Sequence, residues 1–475
     1  MSTSEDISDN FYTLFYGDAM TSFLPWFALI VTVCAGWMMV KRYPNHMTLF
    51  FAGLLIIVAC VLAGETSILP KGMKTSGLIW FDIFDLLRKC ATSQVSGIGF
   101  VIMTAGGFAS YMDRIGAAKV LVDLTTRPLG RLNSPYIVLV LGYLVGQTLI
   151  LVVPSAAGLA MLLLVALYPI LRGIGISAAA AAAVIGMNAG MPMGPSSGTS
   201  NLASKVAGLD PVVYFVQCQL PVALPSMLVV CVLLYFVNKY YDKKNDDVYG
   251  ELVEVKAKEV PVAPGWYAFF PLMPLVLMII FSKLVYSAIK LNTISALFLV
   301  WAFVVVVELI RLRNVQKVFK DALAMFQAMG KLFTGIVALI ICAQFFAEGL
   351  KLSGLIDMLI DTSKTVGMGM FGMSAVLSAI VGFITFLTGS GVAAYTSFAA
   401  MAPDVSAGLG GTASALVTPM QFASGFLRAM SPVSGVIIAV AGAAGLSPFA
   451  IVRRNWIPML GGLTTALIVN YFVLM

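Results

Sequence analysis

Stretches of about 20 apolar residues with almost no charge recur along the whole chain, and they restrict its fold more than any other feature. PWFALIVTVCAGWMMV, MTLFFAGLLIIVACVLAG and TISALFLVWAFVVVVELI are three of them. Each is long enough to cross a bilayer as a helix, at about 1.5 Å of rise per residue. Inside lipid every backbone amide needs an internal partner, so only helices or a closed barrel can span it. The short alternating segments of a barrel are absent, so the expected fold is an all-α polytopic membrane protein. Composition agrees: 60% of the 475 residues are hydrophobic and 11% are charged, against roughly 25% charged in soluble domains.

Several function classes fall away. The formal charge of +7 does not point to nucleic acid, because the basic residues sit in short loops between spans, where positive-inside bias explains them. The six cysteines (34, 60, 90, 218, 231 and 342) show no CxxC spacing and lie mostly in apolar segments, as packing residues do. His46 is the single histidine, which argues against a His-based metal site. No HExxH and no carboxylate pair is present, so an enzyme is not expected.

Organisation follows from charge and from breaks. Residues 1–20 are acidic, lack the basic start of a signal peptide and read as an external tail. Residues 21–131 hold two spans before residue 64, a third near 95–110, and the amphipathic, surface-lying YMDRIGAAKVLVDLTTRPLGRLNS. Residues 132–240 begin with PYIVLVLGYLVGQTLILV and LAMLLLVALYPIL, joined at Val153–Gly158 and flanked by Arg131 and Arg172. The second arm is short for a crossing, so the pair is expected to form a re-entrant hairpin. A helix interrupted by Pro and Gly at 191–199 and a further span follow. Residues 241–265 form the one long charged stretch, a cytoplasmic linker. Residues 266–365 and 366–475 then repeat the pattern.

The repetition has a constant spacing. PSSG at 195–198 and PVSG at 432–435, AGLDP at 207–211 and AGLSP at 444–448, and Pro221 and Pro458 are all offset by 237 positions. FASYMDRIGAAKVLVDLT (108–125) also resembles FAEGLKLSGLIDMLIDTS (346–363). With an external N-terminus, 19 of the 29 lysines and arginines fall inside, nine outside and Arg428 within the membrane. This bias supports that orientation. In it the first hairpin enters from the cytoplasm and the second from outside, which makes the halves inverted-topology repeats. Each has a re-entrant hairpin and a broken transmembrane helix, with early spans as scaffold and later segments as transport region.

Inverted repeats with broken helices at the midplane are the signature of secondary transporters. Proline removes a backbone donor and glycine loosens a helix, so each break frees polar groups that only a buried site tolerates. Helix N-termini carry free N–H groups and partial positive charge, suited to a carboxylate. The candidate binding residues are therefore Ser155, Ala156, Ser197, Gly198, Thr199, Thr388, Gly389, Ser390, Gly391, Ser431, Ser434 and Gly435. Arg428, three residues before the second break, adds a guanidinium that can hold a carboxylate in a fork and points to an anionic substrate. Gln147, Asn188, Asn201 and Gln421 are polar enough to join them or to bond between helices. No organic cofactor is expected. A coupling Na+ has donors near Ser155, Ser197, Ser390 and Ser434; H+ is the other candidate.

At these tips a family resemblance becomes specific. TGSG, SPVSGVIIAVAG, LSPFAIV and the closing Arg454–x₃–Pro458 resemble the anaerobic C4-dicarboxylate carrier family, C-type (DcuC-like) branch. GGFASYM, NSPY, GISAAAAAA and YYDKK carry the similarity through most of the chain. The resemblance implies the ion transporter superfamily fold, with two hairpins, a scaffold and a mobile transport domain, in a homodimer in the bacterial inner membrane. It implies alternating access of elevator type, with succinate, fumarate or malate moved by exchange, uptake or efflux. The sequence departs from the family pattern at Val392, where Asn is frequent, at Ser424-Gly425, where Ser-Asn is frequent, and at the first tip. A carrier of another small organic anion, such as a monocarboxylate or an amino-acid derivative, is the alternative, and an anion channel is a third.

Overall fold

The structure, a computed structural model, describes residues 23–41, 43–65, 67–70, 73–132, 134–188, 190–244, 263–281, 285–286, 289 and 291–475. The expected external tail (1–20) and most of the charged linker (241–265) lie outside these residues. Among the described residues all regular structure is helical, and ten helices are long and apolar enough to cross a membrane. Their outer faces carry exposed large apolar side chains such as Trp26, Ile30, Val33 and Trp37. Such a surface is stable only in lipid.

The same order of elements is laid down twice. The first half runs α1 Phe23–Val40, α2 Asn45–Leu62, α3 Ile79–Arg114, α4 Ala117–Thr126, α5 Pro135–Leu149, α6 Ala156–Gly173, α7 Ala178–Met187, α8 Gly198–Val206 and α9 Pro211–Lys243. The second half opens with α10 Gly265–Ile280, α11 Thr293–Leu312, α12 Val315–Leu352 and α13 Leu355–Val366. It closes with α14 Gly369–Thr388, α15 Gly391–Ala399, α16 Ala402–Gly408, α17 Ala413–Met430, α18 Gly435–Ala443 and α19 Pro448–Leu474. Small irregularities repeat as well. A π-turn interrupts α3 at Val95–Gly99 and α12 at Phe333–Val337. A left-handed glycine opens both α4 (Gly116, φ 81°) and α13 (Gly354, φ 71°), a conformation that side-chain-bearing residues rarely adopt.

Two long helices were only partly legible. The span near 95–110 is the C-terminal part of the 36-residue α3, because Asp82, Asp85, Arg88 and Lys89 masked its first turns. Asp82 is held by the Thr75 hydroxyl at 2.5 Å and the Ser76 amide at 2.7 Å. The basic stretch 311–331 likewise runs on into the next apolar segment as α12, with 38 residues.

Packing separates two groups of helices. α2 and α3 lie against α12, while α9 lies against α19, and α17 packs between α14 and α19. Small residues permit the close crossings. All ten residues of α7, six of them consecutive alanines, are buried. α9 and α19 are joined by Arg454, 1% exposed, which reaches Asp242 at 2.8 Å and Asn238 at 3.0 Å. Between the halves, α6 packs on α18 and α15 packs on α8, so each hairpin's second arm rests on the other half's post-break helix.

The crossing of α3 with α12 has no room at Gly107, where an added Cβ would lie 2.8 Å from the Met325 carbonyl oxygen. Gly107→Val is expected to destabilise the fold by about 1–3 kcal/mol, read as a lower midpoint in detergent thermal unfolding. Gly330→Ala on α12, with no atom within 4 Å of the new Cβ, is expected to leave the midpoint unchanged or raised.

Candidate binding site at the helix breaks

Four helices begin at the centre of the molecule, each after a non-helical segment. Ser155, Ser197, Ser390 and Ser434 occupy the N-cap positions of α6, α8, α15 and α18, all with extended backbone. Only Ser155 caps with its own hydroxyl, accepting from the Gly158 amide at 3.2 Å. At the other three no side-chain oxygen of the cap residue accepts from a first-turn amide, and Ser197 Oγ bonds the Thr199 hydroxyl at 3.2 Å instead. Those N–H groups and their partial positive charge are left for another acceptor.

A cavity of about 110 Å³ opens between three of these starts. Ala156, Ser197, Gly198, Thr199 and Gly391 line it, with Asn188 at the end of α7 and Arg428 near the end of α17. Typical ligand pockets span about 300–1,000 Å³, so this one suits a molecule of few atoms. Its wall is positive at two places, the α8 start and the Arg428 guanidinium, and no carboxylate lines it. That arrangement is suited to an anion with negative charge at both ends.

The broken segments are held by side chains and by close backbone contact. Asn201 donates to the carbonyls of Pro195 and Ser197, both at 2.8 Å. Ser196 bonds the Leu151 carbonyl at 2.5 Å, tying the first break to the first hairpin. Ser431 bonds the Phe386 carbonyl at 2.7 Å, tying the second break to the second hairpin. At Gly389 an added Cβ would lie 2.6 Å from the Val433 carbonyl oxygen, and at Gly425 2.4 Å from that of Gly190. Gln421 on α17 joins the halves. Its amide nitrogen reaches the Pro192 carbonyl at 2.8 Å, Ser200 at 3.0 Å and Thr199 at 3.2 Å. Its oxygen accepts from Gln219 at 2.9 Å and Tyr214 at 3.2 Å.

The C4-dicarboxylate anaerobic carrier family matches residues 24–474. This chain belongs to that family. It is a transporter and not an enzyme. A protein of Vibrio cholerae serotype O1 named probable anaerobic C4-dicarboxylate transporter DcuC is 35% identical, over 93% of this chain and 95% of the relative. The anaerobic C4-dicarboxylate transporter DcuC of Escherichia coli K12 is 31% identical, over 93% and 94%. Among solved structures, the YdaH transporter of Alcanivorax borkumensis superposes with a TM-score of 0.60 at 14% identity, covering 91% of this chain and 98% of that one. MtrF of Neisseria gonorrhoeae, described as one of a class of antimetabolite efflux pumps, gives 0.52 at 14%, covering 91% and 94%. These two likenesses establish the fold alone.

The expected site residues divide into four groups in the carrier. Ala156, Asn188, Ser197, Gly198, Thr199, Gly391 and Arg428 line the cavity. Thr388 and Ser390 line a second, larger one of about 370 Å³, with Tyr43 from the α1–α2 connection and Asn45 and His46 from the start of α2. Ile336 and Val392 belong to both cavities, so the second is a vestibule to the first. The third group stands behind the wall. Gln147 bonds the Met187 carbonyl at 3.3 Å, and Asn201, Gln421 and Ser431 make the backbone contacts above. Ser155, Gly389, Ser434 and Gly435 lie at helix starts and tips and contribute no lining.

Sequence reasoning missed Ile336 and Ile340, which line the cavity from α12, and Thr396; Val392, Ser424 and Gly425, singled out as departures from the family pattern, line it too. Apolar residues on a long helix carry no motif. The π-turn beside Ile336 is the one local feature that could have marked it, and its only sequence trace is Gly335. Among the described residues no group of three His, Cys, Asp or Glu side chains could hold a metal ion.

Gln421→Leu would leave Gln219, Tyr214 and the Pro192 carbonyl buried with fewer partners, at about 1–3 kcal/mol per unsatisfied group. The expected result is a clearly lower unfolding midpoint, measured in detergent. Gln421→Glu, which keeps the acceptor, is expected to lose less if its added charge is protonated.

Proposed function

We infer that this protein is an inner-membrane secondary transporter of C4-dicarboxylates such as succinate, fumarate and malate, working by exchange or by ion-coupled symport. The observation that carries this reading is the small cavity between the Arg428 guanidinium and the open first turn of α8. One carboxylate would take the fork of Arg428, and the other the amides of Gly198 and Thr199 with the Ser197 hydroxyl. The names of the relatives support the substrate class. The twofold order of elements and the positive-inside count support inverted repeats, re-entrant hairpins at α5–α6 and α14–α15, and an external N-terminus.

In this reading the hairpins and broken helices of both halves form one body. It slides as an elevator against a scaffold of residues 21–131 and 266–365, in a homodimer embedded in the bilayer. Ser155, Gly389, Ser390, Ser434 and Gly435 then shape the tips, and Thr388 with Ser390 meets substrate in the vestibule. A coupling Na+ would use hydroxyl and carbonyl oxygens near Ser155, Ser197, Ser390 and Ser434; H+ coupling and pure exchange are the other modes.

A second reading has a specific observation behind it. Val392 and Gly425 line the cavity at positions where the family pattern carries amides. An apolar patch there favours a substrate with one carboxylate and an apolar or amino-acid-derived end. The deciding experiment is entry of radiolabelled succinate into proteoliposomes preloaded with unlabelled succinate and without an ion gradient. Saturable entry that needs internal succinate supports the first reading. No succinate entry, with saturable entry of radiolabelled butyrate or an acyl amino acid into proteoliposomes preloaded with the same compound, supports the second. Arg428→Ala is expected to lower kcat/KM for succinate exchange by roughly 30- to 5,000-fold, since truncating one partner of a buried charge pair costs about 2–5 kcal/mol. Arg428→Lys, a point charge without the fork, is expected to recover part of that loss.

A further inference from the structure

The repeated halves place corresponding charges of opposite sign. Phe108 aligns with Phe346 in FASYMDRIGAAKVLVDLT and FAEGLKLSGLIDMLIDTS, so Asp113 near the end of α3 corresponds to Lys351 near the end of α12. The terminal turns of the hairpins correspond too, at Tyr168–Gly173 and Ala402–Gly408. Each is followed by a left-handed glycine, Gly175 (φ 89°) and Gly410 (φ 73°). In that register Arg172 of the first hairpin lies one helical turn from the counterpart of Asp404 in the second, on the same face. Each half therefore holds one acid and one base, one on the scaffold helix and one at the hairpin base, with the signs exchanged.

Only one of the two pairs is formed. Lys351 Nζ lies 3.0 Å from Asp404 Oδ1. Asp113 Oδ1 is buried without a hydrogen-bond partner, and so is Arg172 Nε, while Arg172 Nη1 donates to the Ile176 carbonyl at 2.8 Å. What stands at Asp113 instead is the first hairpin's tip. A Cβ added at Gly158 would lie 3.0 Å from Ser155 Oγ and 3.8 Å from Asp113 Oδ2. The first hairpin thus shows its tip to the end of α3, while the second shows its base to the end of α12.

We propose that Asp113 and Arg172 pair in a second conformation of the carrier, in which the Lys351–Asp404 pair is broken and the tip at Ser390 lies against Lys351. This rests on the sliding motion inferred above. Exchanging the conformations of the two halves converts the present arrangement into that one. From Gly158 to Arg172 a helix rises about 21 Å, and the guanidinium arm covers part of that distance. A buried ionic group without a partner is costly, and forming one pair while breaking the other keeps the two conformations close in energy.

The test uses the full chain with its six native cysteines replaced. Asp113→Cys/Arg172→Cys and Lys351→Cys/Asp404→Cys are oxidised with copper phenanthroline or bridged with a bismaleimide, in membranes and in proteoliposomes. Both pairs are expected to link, each link stopping succinate exchange at least tenfold until disulfides are reduced. Locking 351–404 first is expected to cut the yield at 113–172 at least fivefold. Asp113→Arg alone is expected to slow kcat, and Asp113→Arg/Arg172→Asp to restore it, a rescue that a merely packed Asp113 would not give. Succinate exchange without any 113–172 link overturns the proposal, as does a 113–172 link whose yield ignores the 351–404 lock. A mutually exclusive pair of links in a protein that exchanges no dicarboxylate sustains the proposal and overturns the substrate reading alone.

Discussion

A bilayer offers no water to an unwound backbone, and the rest of this structure depends on how that constraint is met. One helix in each half is broken, at 188–197 in the first and at 431–434 in the second. Their freed carbonyls and amides need partners that lipid cannot supply. The protein satisfies them both across the repeat boundary and within a half. Gln421 of the second half reaches the Pro192 carbonyl of the first, and within the second half Asn455 bonds the Ala429 carbonyl at 2.9 Å. Gly425 lets α17 approach Gly190 closely enough for those bonds to form. What is left unpaired by cap side chains is a set of helix starts facing one small space, so the solution to a stability problem also builds the site.

The halves do this jointly. Neither hairpin rests on its own half's post-break helix; α6 lies on α18 and α15 on α8. The cavity is therefore lined at once by Ser197–Thr199 from the first half and by Gly391 and Arg428 from the second. Intertwining of this kind gives a bound anion leverage over both halves together. It also gives the site one guanidinium rather than two, because the charge at Arg428 has no counterpart at the same position of the first repeat.

Much of this was legible in the sequence because proline, glycine and charge are loud signals in an apolar chain. The breaks at PSSG and PVSG, the hairpin turns and the 237-residue repeat were all visible before any coordinates, and Arg428 stood out as a charge at membrane depth. Side-chain roles were less legible. Gln421, Asn201 and Ser431 look like ligands in a list of polar residues, yet Asn201 and Ser431 spend their bonds on backbone carbonyls, and Gln421 bonds one carbonyl and neighbouring side chains. Ser or Gln gives the same one-letter signal whether it faces a cavity or a carbonyl, and only geometry separates the two. The scaffold side of the site was silent, since Ile336 and Ile340 are two apolar residues among many. Asp113 was silent for another reason: its helix ends far along the chain from the hairpin tip it meets.

The most direct measurement is a cryo-EM map of the carrier in lipid nanodiscs at saturating succinate. The account predicts density between the Arg428 guanidinium and the first turn of α8, in contact with Ser197 and Thr199. Density confined to the vestibule beside Tyr43 and His46, or an empty cavity at a succinate concentration that saturates exchange, would contradict it.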